Sequence, residues 1–173
     1  MIFVCAMTMA QTNAYPLLPM PQNYKVTDKS FAMGKVKLST PVLKSEWEAF
    51  IVNAGGELAD KAAAEIKVEL LPVIDGVKLN PDEAYRLSVS GKLIKIEAVT
   101  ERGVYWALQT LRQLEKKKGK KSLFASCEIV DWPAFRIRGF MQDVGRSYIS
   151  VEELKREIEI LSLSLIHISE PTR

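Results

Sequence analysis

Histidine and cysteine are almost absent: the 173 residues include one His and two Cys. Cys5 lies in an N-terminal segment that we expect to be removed, so Cys127 would stand alone and no disulfide framework is predicted. A Cys nucleophile needs a base such as His, and a buried structural thiol is therefore the preferred interpretation of Cys127. No H-E-x-x-H motif occurs, and we expect neither a metal nor a cofactor.

A strong charge of one sign and long apolar runs are lacking too. The net charge of +3 gives no case for a nucleic-acid partner. The one dense basic stretch, 116–121, ends a predicted helix, where cations suit the helix dipole, so we interpret it as a solvated helix end. No run is long enough to predict a membrane span. Apolar residues make up 47% of the chain, which predicts a packed core.

The N-terminal stretch 1–14, MIFVCAMTMAQTNA, is apolar and ends in small residues. Ala10 before Gln11, with Thr8 two residues earlier, fits a signal-peptidase site, although Lys and Arg are missing from the start. We interpret this stretch as the remnant of a signal peptide, which predicts a secreted or periplasmic protein. A short buried apolar segment is the alternative.

The pattern from 15 to 130 predicts an α+β domain. Helices are expected after a capping box formed by Ser45 and Glu48, with a stop at Gly55, and again from about Thr100. A turn is expected at 28–30. The expected strands are 24–26, 31–38, 66–71, 85–89, 93–98 and 122–130. Hairpins and loops join most of these strands, which predicts a mixed sheet with two helices on one face.

Residues 131–162 have a different pattern. The run 136–141 suits a strand, and charged residues follow at its end. A second capping box, Ser150 with Glu153, precedes a helical apolar stripe. A strand with charged residues at its carboxyl end and a helix after it is the first unit of an α/β barrel. We therefore expect 131–162 to be the first βα unit of a truncated barrel.

The last stretch, 163–173, reads LSLIHISEPTR. With suitable codons it back-translates to a string that resembles a transposase sequencing adapter. We interpret it as an artefact in which the reading frame ran from a gene fragment into adapter DNA. The lone His167 would then carry no chemistry.

Two motifs in this order resemble family 20 glycoside hydrolases, the β-N-acetylhexosaminidases. The stretch 83–114 is similar to the pattern Y-x-L-x-V…I-x-I-x-A…G-x-x-x-x-x-Q-T-L-x-Q-L of the family's small domain. The stretch 129–148 is similar to D-x-P-x-F-x-x-R-G-x-x-x-D-x-x-R, which leads into the catalytic barrel. The resemblance implies a small domain of zincin-like shape, without zinc, followed by a (β/α)8 barrel.

The resemblance also implies roles for single residues. Arg138 occupies the position of an arginine that binds sugar hydroxyls, and a guanidinium fork suits two neighbouring hydroxyls. Its alternative role is an ion pair with a core carboxylate. Asp143 and Arg146 are expected to form a structural ion pair, and Trp132 and Phe135 to pack at a domain interface. The chain departs from the family at two positions, Ile137 and Ser147, which affects pocket detail.

The implied reaction is substrate-assisted hydrolysis of a glycan that ends in an N-acetylhexosamine. The family's catalytic Asp-Glu pair lies on a later barrel strand, so no catalytic residue is expected here and the fragment is predicted to be inactive. Helix carboxylates at Glu152, Glu153 and Glu157 are expected to be caps or solvated charges. The alternative is a non-catalytic carbohydrate-binding or interaction module. The sequence predicts no particular oligomeric state.

Overall fold

The computed structural model describes residues 17–142 and 148–163, without the side chain of Asp28. Three α-helices lie within these residues: α1 (Lys44–Asn53), α2 (Glu101–Gln113) and α3 (Val151–Leu163). A short 3-10 turn covers Pro81–Glu83. The strands are β1 (Asn23–Ala32), β2 (Lys35–Ser39), β3 (Glu57–Leu58), β4 (Ala64–Leu70), β5 (Tyr85–Val89), β6 (Leu93–Ala98), β7 (Glu115–Lys118) and β8 (Lys121–Asp131).

The strands form one mixed sheet in the order β1-β8-β5-β6-β4-β2-β3, with β7 paired to β8. The half from β1 to β6 is antiparallel, whereas β6, β4, β2 and β3 run parallel. The predicted α+β class with a mixed sheet is thus confirmed. The short strands β3 and β7 at the margins were not predicted.

The core lies between one face of this sheet and the helices. Strand side chains that point to the helices are fully buried, as Leu87 and Ile96 show, whereas their neighbours Arg86 and Glu97 form an ion pair on the opposite face. This alternation is the period of a strand with one covered face. Trp47 on α1 and Leu108 on α2 belong to the same apolar cluster, so both helices cover the same face, as predicted.

Helix α2 begins where its sequence predicts. The Thr100 side chain accepts a hydrogen bond from the backbone N–H of Arg102 over 3.2 Å, which caps the helix. Its buried face includes Val104, Ala107 and Leu111. Helix α1 ends before Gly55, whose φ of 75° is a left-handed conformation that favours glycine.

Three local predictions are wrong. The single strand expected at 31–38 is interrupted, because β1 ends at Ala32 and β2 begins at Lys35. The segment 28–30 is not a turn, because β1 continues through it as a bulge: β8 supplies one residue, Ser126, opposite 27–29. Ser45 does not cap α1. The helix starts one residue earlier, and the Ser45 hydroxyl bonds the carboxylate of Glu46 instead.

The basic stretch 116–121 is also different from the prediction. It is not a helix end, because α2 stops at Gln113 and the lysines continue into β7 and β8. Gly119, with a φ of 64°, allows the tight turn between these two strands. The lysine side chains are exposed on this hairpin, so they remain solvated charges as expected.

The strand predicted at 136–141 is wrong as well, since none of these residues is in a strand. A barrel strand needs hydrogen-bonding strands beside it. Within the described residues, no strand lies next to this segment. The second capping box is confirmed: the hydroxyl of Ser150 accepts from the N–H of Glu153 over 3.2 Å, and the Glu153 carboxylate accepts from the N–H of Ser150 over 3.0 Å. Helix α3 follows, but no residue of it is buried.

Cys127 is a buried thiol on β8, as predicted. Burial raises its pKa to about 12, so the thiol stays protonated and unreactive at neutral pH. The signal-peptide remnant, the Asp143–Arg146 pair and nearly all of the adapter-derived tail lie outside the described residues. No helix within the described part of the chain has the length and hydropathy to cross a membrane.

Candidate functional site

The structure places Arg138, the predicted substrate-binding residue, against the α+β domain. The segment that carries Arg138 leaves the sheet where β8 ends, at Asp131, and it begins with Trp132 and Pro133. Trp132 is buried against Ile74 and Ala84, which fixes the start of the segment. Arg138 then turns back toward the domain, and its Nη1 donates to the carbonyl oxygen of Phe135 over 2.6 Å. Only 15% of its side chain is exposed.

The guanidinium meets a buried carboxylate, Glu83. Nη2 of Arg138 lies 2.5 Å from Oε2 of Glu83, whose side chain is 2% exposed. The same Oε2 accepts a hydrogen bond from the indole N–H of Trp106 over 2.8 Å. The guanidinium carbon lies 5.9 Å from the centre of the Trp106 ring, within reach of a cation–π contact. We call Glu83, Trp106 and Arg138 the arginine cradle.

A tight turn fixes the carboxylate of the cradle. Asn80 has a left-handed φ of 45° and its side-chain amide donates to the carbonyl oxygen of Pro133 over 2.7 Å. The 3-10 turn Pro81–Glu83 follows, and the carbonyl of Asp82 accepts from the hydroxyl of Thr100, the cap of α2. The turn is therefore held both by the start of α2 and by the segment after β8.

Gly103 allows α2 to approach this turn closely. A Cβ at position 103 would lie 2.3 Å from the carbonyl oxygen of Ala84 and 3.1 Å from the Cβ of Ala98. The close approach places Trp106, one helical turn later, on the carboxylate of Glu83. The glycine of the sequence motif thus has a structural reason in this fold.

A second buried polar group lies where β5 and β8 are paired. The Tyr85 hydroxyl lies 2.6 Å from the Thr110 hydroxyl and donates to Oδ2 of Asp131 over 3.3 Å, while Oδ1 accepts from the N–H of Gln22 over 3.0 Å. Burial raises the pKa of Asp131, and burial together with the nearby Asp131 carboxyl raises that of Tyr85. The group connects the start of the described chain to the sheet and helix α2.

The other predicted residues are not brought to the cradle. Phe135 is 73% exposed and Ile137 is 85% exposed. Glu153 caps α3, and Glu152 and Glu157 lie along that helix, as expected for caps and solvated charges. No cluster of three or more His, Cys, Asp or Glu side chains suited to a metal ion occurs among residues 17–142 and 148–163.

The sequence did not indicate Glu83 or Trp106 as partners of Arg138. Glu83 belongs to an N-P-D-E stretch that reads as an ordinary loop, and Trp106 lies on an apolar helix face. One signal was available: Glu83 lies two residues before Tyr85, the buried first residue of β5, and so shares the alternation that places side chains in the core.

The architecture matches those of solved glycoside hydrolases. An exo-β-N-acetylglucosaminidase from Vibrio harveyi, solved as its D437A inactive mutant, shares 31% identity and superposes with a TM-score of 0.71 over 90% of this chain and 25% of that one. The same enzyme in complex with N-acetylglucosamine gives a TM-score of 0.70. The β-hexosaminidase of Porphyromonas gingivalis is 27% identical over 167 residues, which are 87% of this chain and 21% of that protein.

The mixed sheet with its helices superposes on these enzymes, so the fold is that of a domain found in glycoside hydrolases. The sequence profile of glycosyl hydrolase family 20, domain 2, matches residues 14–132. The chain therefore belongs to glycosyl hydrolase family 20, as the motif resemblance implied. It spans about a fifth of the length of the curated relatives that it matches, for example 21% of the Porphyromonas protein and 16% of a β-hexosaminidase from Vibrio furnissii.

Proposed function

We propose that this chain is the N-terminal part of a secreted, exo-acting β-N-acetylhexosaminidase. The full-length enzyme would hydrolyse terminal N-acetylglucosamine or N-acetylgalactosamine with retention of configuration. The observation that carries the proposal is the family match over 14–132, followed by Arg138 in the R-G pair where the family has a sugar-binding arginine. Secretion or export to the periplasm rests on the N-terminal stretch 1–14.

In the proposed mechanism, the 2-acetamido oxygen of the substrate attacks its own anomeric carbon. A Glu donates a proton to the leaving oxygen and then activates water, and the Asp before it orients the acetamido group. This carboxylate pair belongs to the later part of the full-length enzyme. Arg138 contributes binding: its N–H groups donate to two neighbouring sugar hydroxyls and orient the ring.

The exposed apolar side chains favour an enzyme over a free-standing binding module. The side chains of Met141 and Tyr148 are each 93% exposed, and that of Ile137 is 85% exposed. On α3, Ile160 is 55% exposed. A module that ended here would leave these groups in water, whereas a barrel would cover them.

The proposal predicts a specific substrate requirement. The full-length enzyme should release 4-nitrophenol from 4-nitrophenyl N-acetyl-β-glucosaminide but not from the matching β-glucoside, because the glucoside lacks the acetamido nucleophile. A chromogenic assay of both substrates checks this. Equal turnover of the two, or turnover of neither, would contradict the proposal.

The 173-residue chain is the matched control in the same assay. It should release no 4-nitrophenol above background, because the catalytic carboxylates are expected on a later strand. It should still show cooperative thermal unfolding, since its α+β domain has a complete core. Turnover that persists through purification would mean that the chemistry lies within these residues.

A further inference from the structure

We propose that the hairpin of β7 and β8 is a docking site for a polyanionic glycan, a polysaccharide chain that carries sulfate, phosphate or carboxylate groups. Four exposed lysines form this site, and we call them the lysine patch: Lys117, Lys118, Lys120 and Lys121. The inference goes beyond the proposed function, because it concerns binding at a second place on the domain and needs no catalytic residue.

The lysine patch lacks counter-charges. No Asp or Glu occurs between Glu115 and Glu128 in the sequence. Among residues 17–142 and 148–163, no salt bridge involves a lysine of the patch. Lys67 of β4, by contrast, has its Nζ 2.6 Å from Oε1 of Glu69. The patch therefore presents positive charge to solvent, where the anionic groups of a ligand can neutralise it.

The pairing register of the hairpin places like charges side by side. Lys118 lies directly opposite Lys121 in the antiparallel pair of β7 and β8, so the two side chains share a face. Like charges in such a pair destabilise a sheet. Glu115 does not offset them, because it lies on the other face and accepts from the Ser122 hydroxyl. A charge pair that weakens the fold without compensation is expected where the charges serve binding.

The hairpin is firmly held by the rest of the domain. The backbone N–H of Ser122 donates to the carbonyl oxygen of Ala54 over 3.1 Å, and the carbonyl oxygen of Ser122 accepts from the N–H of Met33 over 2.9 Å. The carbonyl oxygen of Lys120 packs against Gly55, where a Cβ would not fit. These contacts fix the hairpin to the end of α1, so the lysines are presented from a rigid base.

The chemistry of the patch favours a glycan over a lipid surface. Peripheral membrane binding gains strength from apolar side chains that are buried among the lipids. Every residue from 116 to 121 is a lysine or a glycine, and the next apolar residue, Leu123, is already partly buried in the domain. Lysine ammonium groups are flexible point charges, which suit anions spaced along a polymer. The choice of a glycan also rests on the proposed function, in which the enzyme acts on glycans.

The patch lies apart from the arginine cradle. Arg138 contacts Trp106 in the first half of α2, whereas β7 begins beyond the C-terminal end of that helix. The patch therefore holds a part of the glycan that is remote from the terminal sugar. Such a second contact raises the local concentration of a polymeric substrate at the enzyme.

The test is binding of a fluorescently labelled, heparin-derived decasaccharide to the 173-residue chain. The patch variant combines Lys117→Gln, Lys118→Gln, Lys120→Gln and Lys121→Gln. Wild-type binding should weaken about hundredfold between roughly 50 and 200 mM NaCl, because each charge contact adds about 0.7–0.9 to the slope of log K against log salt. The patch variant should bind at least about tenfold more weakly at the lower salt concentration and lose most of this slope.

The matched control removes the same number of lysines from scattered, exposed positions: Lys25→Gln, Lys61→Gln, Lys78→Gln and Lys92→Gln. Both variants have a net charge of −1, since each loses four positive charges from +3. The control should bind the decasaccharide within about threefold of wild type, because isolated surface charges are largely screened. The melting temperature of the patch variant should not fall, because the opposed lysines are gone.

Equal affinities of the patch variant and the scattered control would overturn the inference, because net charge alone would then explain the binding. Patch-dependent binding to vesicles of phosphatidylglycerol and phosphatidylcholine in equal amounts, but not to the decasaccharide, would overturn the choice of a glycan. In the full-length enzyme the patch variant should keep its kcat/KM on 4-nitrophenyl N-acetyl-β-glucosaminide, which is small and uncharged. A wild-type enzyme that is inactive on this substrate would refute the proposed function and leave the binding result standing.

Discussion

Arg138→Lys in the full-length enzyme is expected to lower kcat/KM about ten- to hundredfold. Lysine keeps the charge but loses the planar fork, so it cannot hold two neighbouring sugar hydroxyls in one geometry. The loss of one charge-assisted hydrogen bond costs roughly 1.5–3 kcal/mol, which gives that range. Steady-state kinetics together with thermal unfolding of the same sample measure the effect.

The control for this variant is Arg136→Lys. Arg136 is exposed and lies two residues earlier in the same segment. Its substitution should leave both kinetics and melting temperature unchanged. If Arg138→Lys has a lower melting temperature and normal kinetics, Arg138 is a structural partner of Glu83 and its role in sugar binding is refuted.

Gly103→Ala is expected to have the largest effect on stability. The new Cβ would lie 2.3 Å from the carbonyl oxygen of Ala84, and neither backbone can move without disturbing the sheet or α2. Overpacking of this kind costs about 3 kcal/mol, more than the roughly 1 kcal/mol that alanine gains in a helix. The net loss of about 2 kcal/mol should lower the melting temperature by roughly 5–15 °C for a domain of this size.

Gly91→Ala is the matched control for that substitution. A Cβ at position 91 would meet no atom within 4 Å, and the residue lies in the exposed turn between β5 and β6. Its melting temperature should stay within a few degrees of wild type. Equal melting temperatures for Gly103→Ala and Gly91→Ala would show that α2 does not need the close approach to Ala84.

Local patterns predicted those parts of the fold whose partners are close in sequence. The hairpin of β5 and β6 lies at the predicted bounds, because its two strands alternate and a short turn joins them. The cap at Thr100 and the apolar face of α2 were predictable for the same reason. These features depend on residues a few positions apart.

Features set by distant partners were not predictable. The bulge in β1 arises from its pairing with β8, about 100 residues later, and not from the residues at 28–30 themselves. Lys116 to Lys118 form a strand because β8 returns beside them, although lysine has a low strand propensity. In both cases tertiary pairing outweighs the local pattern.

The sequence indicated one residue of the candidate site but not its partner. Family resemblance indicated Arg138 and left open an ion pair with a core carboxylate. The structure contains that ion pair, and its carboxylate, Glu83, is 55 residues away in the sequence. No motif connects the two positions, so only the folded chain could identify the pair.

The most direct test of this account is a crystal structure of the full-length enzyme with N-acetylglucosamine bound. The account predicts that Arg138 donates to two neighbouring sugar hydroxyls, each within about 3.2 Å. A complex in which the guanidinium keeps Glu83 but lies far from the sugar would contradict the role of Arg138.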